Sequence, residues 1–164
     1  METEVLDAVD QRILSLLERD CRKSNQAIGK VVGLTASSVF ERVKKLEKQN
    51  VITGFVALVD PAAVGRPITA FIRLMVSSPK VREGEATGAS VPDVCRDDPE
   101  ILECHHVAGE DCYILKVRTS SPRGLERLGE RIRRGVDVQR SVTAIVLSTA
   151  KETTSIVPLS EETP

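Results

Sequence analysis

The chain has 164 residues, 41% apolar and 29% charged, which suits one ordinary domain or two small ones and is too apolar for a disordered polymer. Aromatic residues make up only 2%, so the core must come from Val, Leu, Ile and Ala, and the stacking platforms used by single-strand and RNA binders are disfavoured. A net charge of −1 argues against nucleic-acid binding by bulk electrostatics alone. It leaves room for a local basic face, because charge attraction decays over about 8 Å at physiological salt.

The N-terminal stretch Met1–Asp10 is acidic and lacks the apolar core of a secretory signal. No apolar run approaches the ~18 residues of a membrane span. The four cysteines, Cys21, Cys95, Cys104 and Cys112, are scattered. Together these features predict a cytoplasmic protein with free thiols and no membrane partner.

Residues 5 to 50 read as helices. Val5, Leu6, Val9, Ile13, Leu14, Leu16 and Leu17 fall at helical spacing with charges between them, and the pattern stops at Asp20. Ser24 or Asn25 can cap a second short helix carrying Ala27, Ile28, Val31 and Val32. Gly33 ends it, since glycine takes the left-handed conformation that closes a helix. Thr35 caps a third helix, with Val39, Val43 and Leu46 on one face. Val51–Leu58 is β-rich, with Gly54 as a turn, and is expected to form a small wing.

Asp60-Pro61 and Arg66-Pro67 bracket a junction, beyond which the period changes. Ile68–Val76 reads as a strand with Ala70, Ile72, Leu74 and Val76 on one side. Gly84, Gly88 and Pro92 weaken any helix between Pro79 and Pro99, leaving a short one over Val91–Arg96. Ile101–Val107 and Tyr113–Val117 read as strands. A helix starts at Ser121-Pro122, carries Leu125, Leu128 and Ile132 and ends at Gly135, before a last strand over Val138–Leu147. The order β, short helix, β, β, helix, β suits a ferredoxin-like α+β sheet with helices on one face. Its bare face must be buried on something, and homodimerisation is the simplest solution. The expected organisation is a winged helix-turn-helix over 1–54, wing strand and linker over 55–67, a ferredoxin-like βαββαβ domain over 68–152 and a tail over 153–164.

The third helix has the character of a DNA reader. The second helix of a helix-turn-helix lies in the major groove and presents its N-terminal side chains to bases. Ser37 and Ser38 are short enough to approach bases, and Arg42, one turn on, can reach a guanine or a phosphate. Lys44, Lys45 and Lys48 suit phosphate contacts. Free backbone donors at the helix starts near Asn25 and Thr35 also favour phosphate. From Thr35 to Asn50 there are four basic residues and two acidic ones, an excess of two.

Leu6-Asp7-x-x-Asp10-x-x-Ile13-Leu14 resembles the start of the leucine-responsive/asparagine regulator (Lrp/AsnC, feast/famine) family. So do Gly33-Leu34-Thr35-x-x-x-Val39-x-x-Arg42-Val43-x-x-Leu46-Glu47 and Val51-Ile52-x-Gly54-Phe55. Glu103-Cys104-His105, Val107-x-Gly109, Tyr113-x-Leu115-Lys116 and the Val138–Lys151 stretch extend the resemblance over roughly residues 5 to 152. It implies a transcriptional regulator on promoter DNA, pairing sheet to sheet as a dimer and assembling further into tetramers or octamers. It also implies an amino-acid effector held near the turn before Tyr113, with Gly109, Glu110, Asp111, Tyr113, Thr143 and Ala144 as its site. This chain departs from the usual Gly-Asp-x-Asp-Tyr turn, since Glu110 replaces the first aspartate and Cys112 the second. An acceptor for an effector's ammonium is lost or moved to Asp111, while backbone amides beside Gly109 can still meet a carboxylate.

Two other readings stay open. One is an effector-independent architectural DNA-binding protein. The other is an enzyme like the siroheme decarboxylases, which resemble this family and use histidines, as His105 and His106 would. No phosphate loop, zinc-protease pair or nucleophile elbow points to catalysis. Cys104, His105, His106 and Cys112 lack zinc spacing, and adjacent strand residues point to opposite faces. The expectation is therefore no enzyme, no metal and no cofactor.

Overall fold

A computed structural model describes residues 6–77, 90–109 and 112–156. The chain forms two compact units, Met1–Ala57 with Lys151–Pro164, and Leu58–Ala150.

The first unit holds α1 (Ala8–Arg19), α2 (Asn25–Val32) and α3 (Ala36–Lys48). Each starts on a side chain that satisfies a free amide of its first turn: Asp7 for α1, Ser24 for α2 and Thr35 for α3. Gly33, with φ of 72°, closes α2 in the left-handed conformation. Asn50, with φ of 55°, turns the chain out of α3, and the Val51 amide donates back to the Leu46 carbonyl at 2.9 Å. Ile13, Leu16, Ile28 and Val39 form the core between the helices.

The β-rich run Val51–Leu58, expected as a wing strand, forms no strand among the described residues. A strand exists only by pairing its backbone with a neighbour, and this single chain brings none alongside. Gly54 is not at positive φ, and the bend falls at Val51-Ile52. Apolar side chains beyond it stay in solvent: Val56 is 73% and Leu58 80% exposed.

The second unit places β1 (Ile68–Val76), α4 (Val91–Arg96), β2 (Ile101–His106), β3 (Tyr113–Thr119), α5 (Pro122–Gly135) and β4 (Val138–Ile145) in that order. The strands form one antiparallel sheet, β2-β3-β1-β4, with β1 and β3 central. This is the ferredoxin-like α+β architecture that the order of elements predicts. Ala70, Ile72, Leu74, Leu115 and Val117 face α4 and α5, which supply Val91, Cys95, Leu125, Leu128 and Ile132 to the core. The weak helix forms where its signals allow: Ser90 and Asp93 make a capping box, and Pro92 falls in the first turn, where its missing N–H costs nothing.

The boundaries differ from the sequence reading at the end of the chain. Residues 151–156 group with the first unit, whereas the sequence reading ends the ferredoxin-like domain at 152 and starts a tail at 153. Ser155 Oγ donates to Glu18 Oε2 at 2.7 Å, and the Ile156 amide donates to Glu18 Oε1 at 2.9 Å. Of the tail expected over 153–164, residues 157–164 lie outside the described residues.

Gly29 gives the helix-turn-helix its sharpest constraint. A Cβ there would stand 2.4 Å from the carbonyl oxygen of Leu34, whose amide donates to the Gly29 carbonyl at 3.0 Å. In an ordinary helix interior Gly→Ala stabilises by about 1 kcal/mol. Here Gly29→Ala is expected to destabilise by about 1–3 kcal/mol, because backbone must move to admit the methyl. Thermal unfolding followed by circular dichroism checks the sign.

Candidate nucleic-acid interface and effector turn

The face of α3 away from the core is built from its cap onward. The Thr35 hydroxyl accepts from the Ser38 amide at 3.1 Å and shares hydrogen bonds with the Ser37 and Ser38 hydroxyls at 2.9 and 2.8 Å. Thr35, Ser37, Ser38, Lys44 and Lys45 are exposed. Asn25 is the first residue of α2, capped by Ser24 rather than capping it.

Arg42 is placed differently from the other predicted DNA contacts. Its Nη1 donates to Asp7 Oδ2 and to Asp10 Oδ1, both at 2.7 Å. The Asp10 side chain is only 12% exposed and that of Arg42 34%, so the pair lies at the edge of the α1–α3 packing. Arg42 thus fastens α3 to α1 from the partly covered side of the helix, instead of standing free for a base. The sequence pattern shows all three residues but cannot pair positions so far apart in the chain.

Phe40 is 49% exposed on the outer face of α3, with Lys44 Nζ 5.9 Å from its ring centroid. Spacing alone gives no reason to single it out. Its exposure does, since a solvent-facing phenyl in the middle of a groove-reading helix can meet a thymine methyl. Ser37, Phe40 and Lys44 recur at i, i+3 and i+7 and so share that face.

The second candidate site lies at the β2–β3 connection. Gly109 has a φ of 143°, a conformation that favours glycine. Glu110 and Asp111, also expected in the site, lie outside the described residues. Cys112 ties the turn to the sheet: its amide donates to the Leu74 carbonyl at 2.8 Å, and its carbonyl accepts from Val107 at 3.0 Å. Its Sγ lies 4.0 Å from the Val76 carbonyl. Tyr113 is half-buried and stacks on His106 with ring centroids 4.9 Å apart.

Thr143 and Ala144 do not join this turn within one chain. They sit on β4, separated from β3 by β1. Two strand spacings put them about 10 Å across the sheet. Thr143 pairs with Ile72, whose side chain faces the helices, and Ala144 pairs with Phe71 on the open face. They point to opposite sides, so only one of them can line a given pocket.

His105 and His106 also diverge. His105 is 3.2 Å from Glu103 Oε2, and Lys116 Nζ is 3.2 Å from Glu103 Oε1. His105 and then Lys116 hold the Glu103 carboxyl below the usual range, against a smaller opposing effect of burial. All four cysteines are unpaired thiols. Burial, then the neighbouring Cys104, pushes the Cys95 thiol up to about 12, which keeps it protonated and unreactive at neutral pH.

A three-helix DNA-binding unit followed by a ferredoxin-like unit with a glycine turn at its β2–β3 end defines a sensor-coupled transcription factor. An AsnC-type helix-turn-helix domain matches residues 6–47, and an Lrp/AsnC ligand binding domain matches residues 69–156. The chain belongs to the Lrp/AsnC family of DNA-binding transcriptional regulators. It is 33% identical over 151 residues to the HTH-type transcriptional regulator FL11 of Pyrococcus horikoshii, covering 92% of this chain and 95% of that protein. It is 34% identical over 155 residues to the leucine-responsive regulatory protein of Haemophilus influenzae, covering 94% and 91%. Among solved structures, the feast or famine regulatory protein of M. tuberculosis complexed with L-methionine superposes with a TM-score of 0.84 at 32% identity, covering 94% of this chain and all of that one.

The Arg42 clamp has two measurable consequences. Arg42→Ala is expected to lower the stability of the first unit by about 1–2 kcal/mol and to weaken all DNA sequences alike, without relaxing preference at one base pair. Unfolding curves and a panel of single-substitution operators check this together. The second consequence is pH dependence. The Asp10 amide, then Arg42, hold the Asp7 carboxyl below its ordinary 3.8. A carboxyl whose folded value is lowered contributes stability that is complete above the unfolded value and fades as pH falls through the folded one. The unfolding temperature should therefore show an acid-side loss below about pH 4 that is smaller in Asp7→Asn, which keeps the cap but cannot titrate.

Proposed function

We propose that this chain regulates promoters in the cytoplasm as a dimer or larger oligomer, reading DNA with the outer face of α3 and sensing an amino acid at the Gly109–Tyr113 turn. The carrying observation is the exposed row Ser37, Phe40 and Lys44 on a capped helix whose opposite face is locked by Val39, Leu46 and the Arg42 ion pairs. In this reading Ser37, Ser38 and Phe40 meet bases, while Lys44, Lys45 and the helix starts at Asn25 and Thr35 meet phosphates.

The open face of the sheet supports the oligomer. Phe71, Arg73, Ile114, Lys116, Val142 and Ala144 fall on the face away from the helices. Phe71 alone is 40% exposed. A second copy laid on this face would bury those apolar groups, and the exposed Phe55–Val59 segment would gain a partner as well.

The residue types at the turn support an amino acid as the effector. Gly109 lets backbone amides approach a carboxylate, and Asp111 can accept from an ammonium. The M. tuberculosis relative bound to L-methionine supports the same ligand class. Such a ligand acts only through different affinity for two states of the protein.

Phe40→Ala should cost about 1–3 kcal/mol on the preferred operator and little on unrelated duplex, read by anisotropy titration at fixed salt. Lys44→Ala should weaken every duplex and flatten the salt dependence by about one phosphate contact. Equal loss on all duplexes for Phe40→Ala would remove it from base reading. Calorimetry with L-methionine and the other common amino acids should give heat with the wild type and none with Asp111→Ala. Phe71→Asp should shift the sedimentation profile to the monomer.

A further inference from the structure

Helix α5 carries Arg123, Arg127, Arg131, Arg133 and Arg134 against Glu126 and Glu130, an excess of three positive charges in 14 residues. Gly124, Leu125, Leu128 and Ile132 turn inward, and all five arginines are exposed. Two of them have work within the fold. Arg131 binds Asp98 at 2.8 Å and Glu100 at 2.6 Å, and Arg134 lies 3.7 Å from Glu130. Among the described residues no carboxylate pairs with Arg123, Arg127 or Arg133. Arg123 stands in the first turn, where there is no acidic residue and where a cation opposes the helix dipole. Folding gains nothing from a charge in that place.

The recognition helix is comparatively poor in charge. With Arg42 committed to Asp7 and Asp10, α3 keeps Lys44, Lys45 and Lys48 against Glu41 and Glu47, an excess of one, whereas α5, with Arg131, Arg134 and Glu130 set aside on the same basis, keeps Arg123, Arg127 and Arg133 against Glu126, an excess of two. Affinity for duplex DNA grows with the number of phosphates neutralised, and one net charge neutralises few. The densest remaining basic surface is α5, and it is made wholly of arginine, whose planar fork matches phosphate oxygens.

We propose that the arginine face of α5 is a second DNA-contacting surface that holds the sugar–phosphate backbone of duplex beyond the bases read by α3. The proposal rests on the DNA-binding reading above and adds a sequence-independent grip in the sensing unit. Such a grip lengthens the bound duplex and steepens the salt dependence without adding base specificity.

The test uses the full chain and two duplexes carrying the same site selected from random DNA. One spans about 20 base pairs, enough for two half-sites, and the other about three times that. The triple variant Arg123→Gln, Arg127→Gln, Arg133→Gln is compared with wild type in KCl. On the long duplex the slope of log K against log salt should fall by about 2–3, at about 0.9 per lost phosphate contact. On the short duplex it should stay as in wild type, and the nuclease footprint should shorten. Glu126→Gln with Glu130→Gln should move the long-duplex slope the other way, and decides the matter if the triple variant melts early. Unchanged slopes on both duplexes would overturn the proposal and leave α5 to solvent or to an acidic protein. Equal loss on both duplexes with an altered sedimentation profile would also overturn it, in favour of a role in assembly. Failure of wild type to bind either duplex would instead sink the DNA-binding reading itself.

Discussion

The guanidinium of Arg42 sits between the carboxylates of Asp7 and Asp10, and the geometry of the whole DNA-binding unit is arranged around it. Asp7 has two tasks at once: it caps α1 through the Asp10 amide at 2.7 Å and accepts from Arg42. The start of α1 and the middle of α3 are therefore fixed by one carboxylate. Packing of Ile13, Leu16, Ile28 and Val39 sets the distance between these helices, but apolar contact is non-directional. The paired hydrogen bonds supply the direction, so α3 is held at one rotation about its axis. That rotation decides which side chains leave the protein, and it sends Ser37, Phe40 and Lys44 outward.

The same residue shows how a family motif can mislead about chemistry. Arg42 stands one turn beyond the capping serines, where a base contact is natural to expect. Two short bonds from Nη1 hold the guanidinium to the aspartates, and freeing it would leave the mostly buried Asp10 charge uncompensated. What the structure gives it is the fastening of α3 to α1. The exposed residues on the outer side of α3 include the short Ser37 and Ser38, the apolar Phe40 and the long Lys44 and Lys45.

Features set by neighbours in the chain are the ones that can be read from the sequence. Ser24, Gly33, Thr35 and Ser121 with Pro122 announce helix ends, and the helices begin or end there. The alternation from Ala70 to Leu74 announces a one-sided strand, and these residues are the buried ones. Features that need a partner elsewhere are not legible. Val51–Leu58 has strand composition, but composition does not supply a neighbouring backbone. The Arg42 clamp and the capture of Ser155 and Ile156 by Glu18 join residues distant in sequence. On α3 the exposure of Thr35, Ser37, Ser38, Lys44 and Lys45 is legible from helical spacing, and the exposure of Phe40 and the ion pairs of Arg42 are not. Spacing places Thr143 and Ala144 on one strand but cannot bring both to one face.

Net charge then takes on a different meaning. A value of −1 for the chain is the sum of a recognition helix with little excess, a strongly basic α5 and acidic residues elsewhere, many of them engaged within the fold. Asp7, Asp10, Asp98 and Glu100 all neutralise arginines at short range. Their fields are cancelled locally and contribute little at a distance beyond the screening length. What a polyanion meets is the uncancelled remainder, and that remainder is positive on α3 and more so on α5. Near-neutral composition therefore limits non-specific attraction while leaving two positive helical faces. For a regulator that must release DNA as well as hold it, affinity spread over several weak phosphate contacts responds more steeply to salt than a single strong one.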